Sequence, residues 1–110
     1  MNIEGFYYFK KIIKMKFVAS RLSKGNKVFP EEIYIEETGI KLRQPGIFSG
    51  KRQFISYEHI SSVEIDSPLV GYSTLKFFHA GKEVTAHGFT KDDAAQIELA
   101  IDEGRKKVRK

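Results

Sequence analysis

From Ile33 onward, apolar and polar positions alternate with a period of two, the signature of half-buried strands. Ile33 and Ile35 share one face of a strand over 31–37. Thr38-Gly39 makes a tight turn, and Ile40 and Leu42 point inward on a return strand that runs to Gln44. Pro45-Gly46 opens a loop that ends near Gly50-Lys51. Strands over 52–57 and 60–66 follow, and in the second of these Val63 and Ile65 alternate with Ser62, Glu64 and Asp66. Ser67-Pro68 ends that strand, because proline cannot continue a central ladder. The last hairpin has a predictable register. With Ala80-Gly81 as a two-residue tip, His79 pairs with Lys82, Phe77 faces Val84 and Leu75 faces Ala86. Those last four residues form a core face. Lys76 with Thr85, Phe78 with Glu83, and Thr74 with His87 form the outward face, on which Phe78 is the apolar exception.

The period changes at the C-terminus. Ala94, Ile97, Ile101, Gly104 and Val108 recur at helical spacing, giving one continuous stripe. Thr90 is placed to cap this helix, with Asp92 and Asp93 at its positive end and Arg105 to Lys110 at its negative end. The first residues are ambiguous. Over 3–16, Phe6, Phe9, Ile12 and Ile13 fall on one helical arc and Lys10, Lys11 and Lys14 on the other, which favours an amphipathic helix. Ile12-Ile13 and the neighbouring aromatics also suit a strand. A further strand is expected over 15–22, ending at Ser23-Lys24-Gly25-Asn26. The tally is about seven short strands and one C-terminal helix: a mainly β (α+β) domain, built as two packed antiparallel sheets or a barrel, with the helix stripe covering an open end or edge. The expected division is an N-terminal amphipathic segment at 1–14 and the domain proper at 15–110.

With 110 residues the chain is long enough for one core and too short for two domains. It has no cysteine, which excludes a disulfide scaffold, a thiolate metal site and a cysteine nucleophile. No apolar run is long enough to span a membrane, and the start lacks the features of a secretory signal, so a cytoplasmic protein is expected, with membrane-peripheral attachment as a variant. The net charge of +5 is concentrated at the ends. Residues 1–30 hold seven Lys/Arg against one acid, and residues 104–110 hold five against none, so the body between them is acidic.

Catalytic and metal chemistry find little footing. His79 sits at the hairpin tip and His87 five residues along the partner strand on the opposite face, so they are roughly 16 Å apart and cannot share a metal. His59 has no ligand pair near it in sequence. Glu36 and Glu37 point to opposite faces of a strand, and Asp92 and Asp93 are explained by the helix start. No nucleophile elbow or phosphate-cradling glycine loop is present. The expectation is a non-enzyme without cofactor or metal.

The run from Ile33 to Ile101 resembles bacterial pleckstrin-homology-like domains. The resemblance is carried by Ile33-Tyr34-Ile35 to Gly39-Ile40-Lys41-Leu42-Arg43, by Ile55-Ser56-Tyr57-Glu58-His59-Ile60 to Val63-Glu64-Ile65, by Gly71-Tyr72-Ser73-Thr74-Leu75-Lys76-Phe77, and by the helix from Thr90. Ile60 and Val63 match the family's Ile-x-x-Val pair. The resemblance implies a four-stranded sheet packed on a three-stranded one and capped by a helix. GRAM-type domains share this shell. Such folds host lipid binding, peptide binding and self-assembly, so the fold does not name the function.

Three surfaces are candidates for binding. Some pleckstrin-homology domains hold inositol phosphates with basic residues on the early strands, and Lys24, Lys27, Lys41, Arg43, Lys51 and Arg52 are the matching set here, with Lys41-Leu42-Arg43 resembling the Lys-x-Arg end of that pattern. Glu31, Glu32, Glu36 and Glu37 dilute their field. A less specific membrane contact would use Phe6, Phe9, Ile12 and Ile13 with the neighbouring lysines, and Ile47-Phe48 beside Lys51 and Arg52. The competing reading packs these apolar residues onto the domain itself. Self-assembly or binding of a protein partner would use Phe78, Leu99 and the N-terminal residues Phe6, Phe9 and Ile13. This is the favoured function. Nucleic-acid binding through the basic ends is the weakest alternative: Leu75 to His79 lacks the aromatic and glycine pattern of an RNA-recognition sheet, and the acidic body breaks any phosphate track.

Overall fold

The computed structural model describes residues 13–20, 30–44 and 51–108. Seven strands and one helix follow in order: β1 (Ile13–Val18), β2 (Glu32–Glu36), β3 (Gly39–Gln44), β4 (Lys51–Ser56), a 3-10 turn (Tyr57–His59), β5 (Ile60–Asp66), β6 (Ser73–His79), β7 (Lys82–Phe89) and α1 (Lys91–Val108). The strands form two antiparallel sheets, one in the order β1-β2-β3-β4 and one in the order β5-β6-β7. This is the architecture expected from the hydrophobic pattern.

The inner faces carry the alternating apolar residues. Ile33, Ile35, Ile40, Leu42 and Ile55 of the first sheet are buried against Leu75, Phe77 and Ala86 of the second. Val63, Ile65 and Val84 pack at the margin of this core. The β6–β7 hairpin has the predicted register from Thr74↔His87 to His79↔Lys82. Its tip places Ala80 at φ 50° and Gly81 at φ 75°, the left-handed pair that matches the twist of a two-residue hairpin. Alanine bears a steric cost there that glycine does not. Ala80→Gly is therefore expected to raise stability by about 0.5–1 kcal/mol, read from the midpoint of urea unfolding.

Past Thr74 the ladder slips, and Ser73 pairs with Phe89. Gly88, at φ 96°, is the extra residue of this bulge. The bend turns the Gly88 carbonyl toward the first sheet, where it accepts the Ser20 N–H at 2.8 Å. Two side chains extend the same seam. The Gln44 amide donates to the Thr85 carbonyl at 2.9 Å, and Glu31 accepts the His87 N–H at 2.7 Å. Burial raises the pKa of Glu31, and the bond from His87 only partly offsets it.

α1 closes the barrel by packing against the 3-10 turn and against strands of both sheets. Thr90 caps it, its hydroxyl accepting the Asp93 N–H at 3.1 Å. Ala94, Ile97, Ile101 and Gly104 are buried as the stripe requires. Val108 is 38% exposed, so the stripe stops one turn before the helix does. Gly104 allows a close approach: a Cβ there would lie 2.5–2.7 Å from ring atoms of Tyr57. The Tyr57 hydroxyl in turn donates to the Glu36 carbonyl at 2.7 Å, joining helix, 3-10 turn and β2.

The first strand corrects one expectation. Residues 13–16 are extended, so the helical reading of 3–16 fails over its last four residues, where Ile13-Lys14-Met15-Lys16-Phe17 alternates with the period of a strand. The remainder of that segment lies outside the described residues. The turn between β2 and β3 also shifts by one, with Glu37-Thr38 at its tip and Gly39 inside β3.

Candidate interaction surface

The outer face of the four-stranded sheet gathers the basic residues. Register places Lys16, Tyr34, Lys41 and Phe54 in one cross-strand row and Val18, Glu32, Arg43 and Arg52 in the next. Both cations predicted on β3 are engaged. Lys41 Nζ lies 3.6 Å from Glu36 Oε2, and Arg43 Nη1 lies 3.4 Å from Glu32 Oε1. The Tyr34 hydroxyl donates to the same Glu32 carboxylate at 2.6 Å. That bond, helped by Lys16 and Arg43, lowers the pKa of Glu32 from its ordinary value. Arg52 is exposed and stands opposite Arg43. Lys51 opens β4, and Lys24 and Lys27 lie outside the described residues. Of the six-residue basic set, Lys41, Arg43 and Arg52 have described side chains, and the first two are ion-paired in place.

This face also holds an aromatic pair that the pattern along the chain does not reveal. Tyr34 has the Lys16 and Lys41 ammonium groups over its ring at 5.5 and 4.9 Å. Phe54, 50% exposed, lays its ring tip over Gly39, where an added Cβ would come within 2.6 Å of it. The Tyr34 ring is flanked by two ammonium groups, while Phe54 covers Gly39 with its tip and leaves half its surface in water.

Of the predicted apolar anchors, Leu99 is 61% exposed on the outer side of α1. Phe78 takes its predicted place on the outer face, opposite Ser62 and Glu83, and is half-buried there. Ile13 opens β1, and Phe6 and Phe9, like Ile47 and Phe48, lie outside the described residues. Leu99 and Phe78 sit on different elements, α1 and β6.

The most exposed large apolar side chains lie elsewhere. Leu69 is 96% and Val70 89% exposed, at the tip of the β5–β6 loop. The loop is pinned at its neck, where the Ser67 and Ser73 hydroxyls lie 2.6 Å apart and Ser73 is fully buried. The Lys91 ammonium, at the start of α1, donates to the Leu69 carbonyl at 3.4 Å. Gly71, at φ 111°, makes the return turn. A held loop thus presents two neighbouring apolar side chains to solvent. The sequence carries a signal for it: an apolar pair between Pro68 and Gly71, where a turn ordinarily has polar residues.

A second concave feature lies between β1 and α1. Met15, Ile35, Tyr57, Ala100 and Gly104 line an open groove of about 150 Å³, with Glu103 and Lys107 at its rim. It exists partly because Gly104 has no side chain. Tyr57 forms its floor. Burial, and then the nearby Glu36 and Glu37 carboxylates, push its hydroxyl up to about 12. An acid whose pKa is raised on folding contributes stability below its unfolded pKa and loses it as pH rises toward the folded value. Urea midpoints are accordingly expected to fall between pH 10 and 12, and Tyr57→Phe to flatten that fall.

Among the described residues no three His, Asp or Glu side chains converge as a metal site. His79 contacts Gln53 at 3.5 Å and His87 contacts Thr74 at 3.1 Å, on opposite faces of the hairpin. No described helix is long and apolar enough to cross a membrane.

No protein-family model and no curated protein matches the chain. Among solved structures it is similar to a DUF1696-family protein with a pleckstrin-homology domain from Shewanella loihica. That likeness has a TM-score of 0.57 at 13% identity, over 96% of this chain and 94% of the other. At that identity the likeness speaks to fold alone. The seven strands and closing helix of the described residues have a pleckstrin-homology-like fold.

Proposed function

We propose that the protein is a non-enzymatic binding module that works through apolar surface, and that its partner is protein, foremost another copy of itself. The observation that carries this reading is the loop tip at Leu69 and Val70. Two large apolar side chains stand almost fully in water on a loop that hydrogen bonds hold in place. Keeping such a pair exposed is unfavourable unless something covers it in the working state. Leu99 adds a second exposed anchor on α1.

Anionic headgroup binding finds weaker support. Lys41 and Arg43 already spend their charge on Glu36 and Glu32. Releasing them for a phosphate would leave two carboxylates facing it. Nucleic-acid binding meets the same objection, and the Tyr34 ring is already flanked by two ammonium groups.

Light scattering over a concentration series, at low and high salt, tests the proposal. The expected result is a mass above the 12.6 kDa monomer that grows with concentration and persists at high salt, because apolar contacts are not screened. A monomer at every concentration removes self-association. Capture by anionic vesicles, lost at high salt, would transfer the assignment to headgroup binding.

A further inference from the structure

The apolar loop tip and the apolar groove lie at opposite ends of the same helix. Lys91, in the first turn of α1, holds the loop that carries Leu69 and Val70. Ala100, Gly104 and Lys107, in its second half, line the groove. An α-helix of 18 residues separates its ends by about 27 Å. Projection and hollow therefore face different parts of the surface and cannot meet within one molecule.

We propose that they meet between molecules: the Leu69-Val70 tip of one copy seats in the β1–α1 groove of the next. This inference rests on the self-association reading and names its interface. Size is compatible. A groove of about 150 Å³ matches the apolar cavities that accept a benzene-sized group, and a leucine side chain is smaller than that. Lining is compatible too, since Met15 and Ala100 offer carbon surface to the incoming side chains and the nearly buried Ile35 and Tyr57 close the groove's base. The charges can be paired in this direction: exposed Asp66 and Asp92, near the tip in sequence, meet exposed Lys106 and Lys107, and Lys91 beside the tip meets Glu103 on the rim, with the Glu36 and Glu37 carboxylates lying on the β2 side of Tyr57. The acidic first turn of one α1 is thereby brought toward the basic last turn of the next. The two surfaces differ, so the contact is heterologous: each copy keeps a free tip at one end and a free groove at the other, and assembly continues head to tail.

A mixing experiment separates this from other modes of self-association. The tip variant Leu69→Asp/Val70→Asp keeps its groove. The groove variant Met15→Glu keeps its tip, and because Met15 is 38% exposed on an edge strand the substitution is compatible with folding, checked by circular dichroism. Ala100→Arg serves as a second groove variant. Each variant alone is expected to associate at least about tenfold more weakly than the natural chain, and to scatter as a monomer where the natural chain assembles. Mixed in equal amounts, one tip-blocked and one groove-blocked chain still share one intact contact. The mixture is expected to form a one-to-one dimer that grows no further. Variants that keep the natural chain's mass would overturn the inference while leaving self-association standing on another surface. Variants that are monomeric but fail to pair on mixing would overturn it in favour of a contact between like surfaces. A natural chain that is monomeric throughout would overturn both readings.

Discussion

Phe77→Ala is expected to cost about 3–5 kcal/mol, a large share of the roughly 5–15 kcal/mol that holds a domain of this size together. Phe77 is fully buried, pairs with Val63 on one side and Val84 on the other, and lies where the two sheets face each other. Truncation leaves a hollow among strands whose hydrogen-bonded ladders cannot collapse to fill it. At roughly 4–8 °C per kcal/mol, calorimetry should show the melting temperature falling by at least ~12 °C. The neighbouring substitution gives the contrast. Phe78 lies one residue along on the outer face and is half-buried, so Phe78→Asp is expected to leave a folded protein with a loss of about 1 kcal/mol. If the two effects were reversed, the strand would be turned over and the register wrong.

The second large effect is expected at Gly39. A Cβ there would lie 2.3 Å from the Ile55 carbonyl oxygen and 2.9 Å from the Ser56 Cα, both backbone atoms of β4. Phe54 can swing its ring aside, but the strand cannot yield without breaking its pairing with β3. Gly39→Ala is therefore expected to cost about 3 kcal/mol, at the upper end of overpacking, with a matching drop in the urea midpoint. Phe54→Ala on the natural background should cost much less. That would identify Phe54 as a cover over Gly39, a sufficient structural reason for an aromatic residue on this face.

These two positions also show what can be read along the chain. Phe77 is legible, because a two-residue tip and a period of two leave one register for the hairpin. Gly39 is legible only as part of a turn, because its constraint comes from β4 across the sheet. The bulge at Gly88 escapes for the same reason: the residues it serves, Ser20 and Gly88, are distant in sequence and meet only when the sheets close. The helix stripe is legible from Ala94 to Gly104 and fails at Val108, because the helix outruns the sheets that bury it. Ile13 to Phe17 illustrates a contest of periods, in which the lysines that mark the polar arc of a helix equally mark the outer face of a strand.

The surface was harder to read than the core. Lys41 and Arg43 look like free cations until they are set opposite β2. Paired residue numbers across β2 and β3 sum to 75, which puts Glu32 against Arg43, and that register was available from the Glu37-Thr38 turn. Leu69 and Val70 show a different difficulty. An apolar pair in a loop is read as a short extension of the core until their 96% and 89% exposure is known. Exposure depends on where the neck of the loop is pinned, here by Ser67, Ser73 and Lys91.

Contact through the apolar tip of the β5–β6 loop can be read residue by residue from amide hydrogen exchange on the full chain at low and at high protein concentration. The amides of residues 69–72 are expected to exchange more slowly in the concentrated sample, together with those of the second half of α1, while β6 is unchanged because it is already protected. Identical exchange of that loop at both concentrations would contradict that contact.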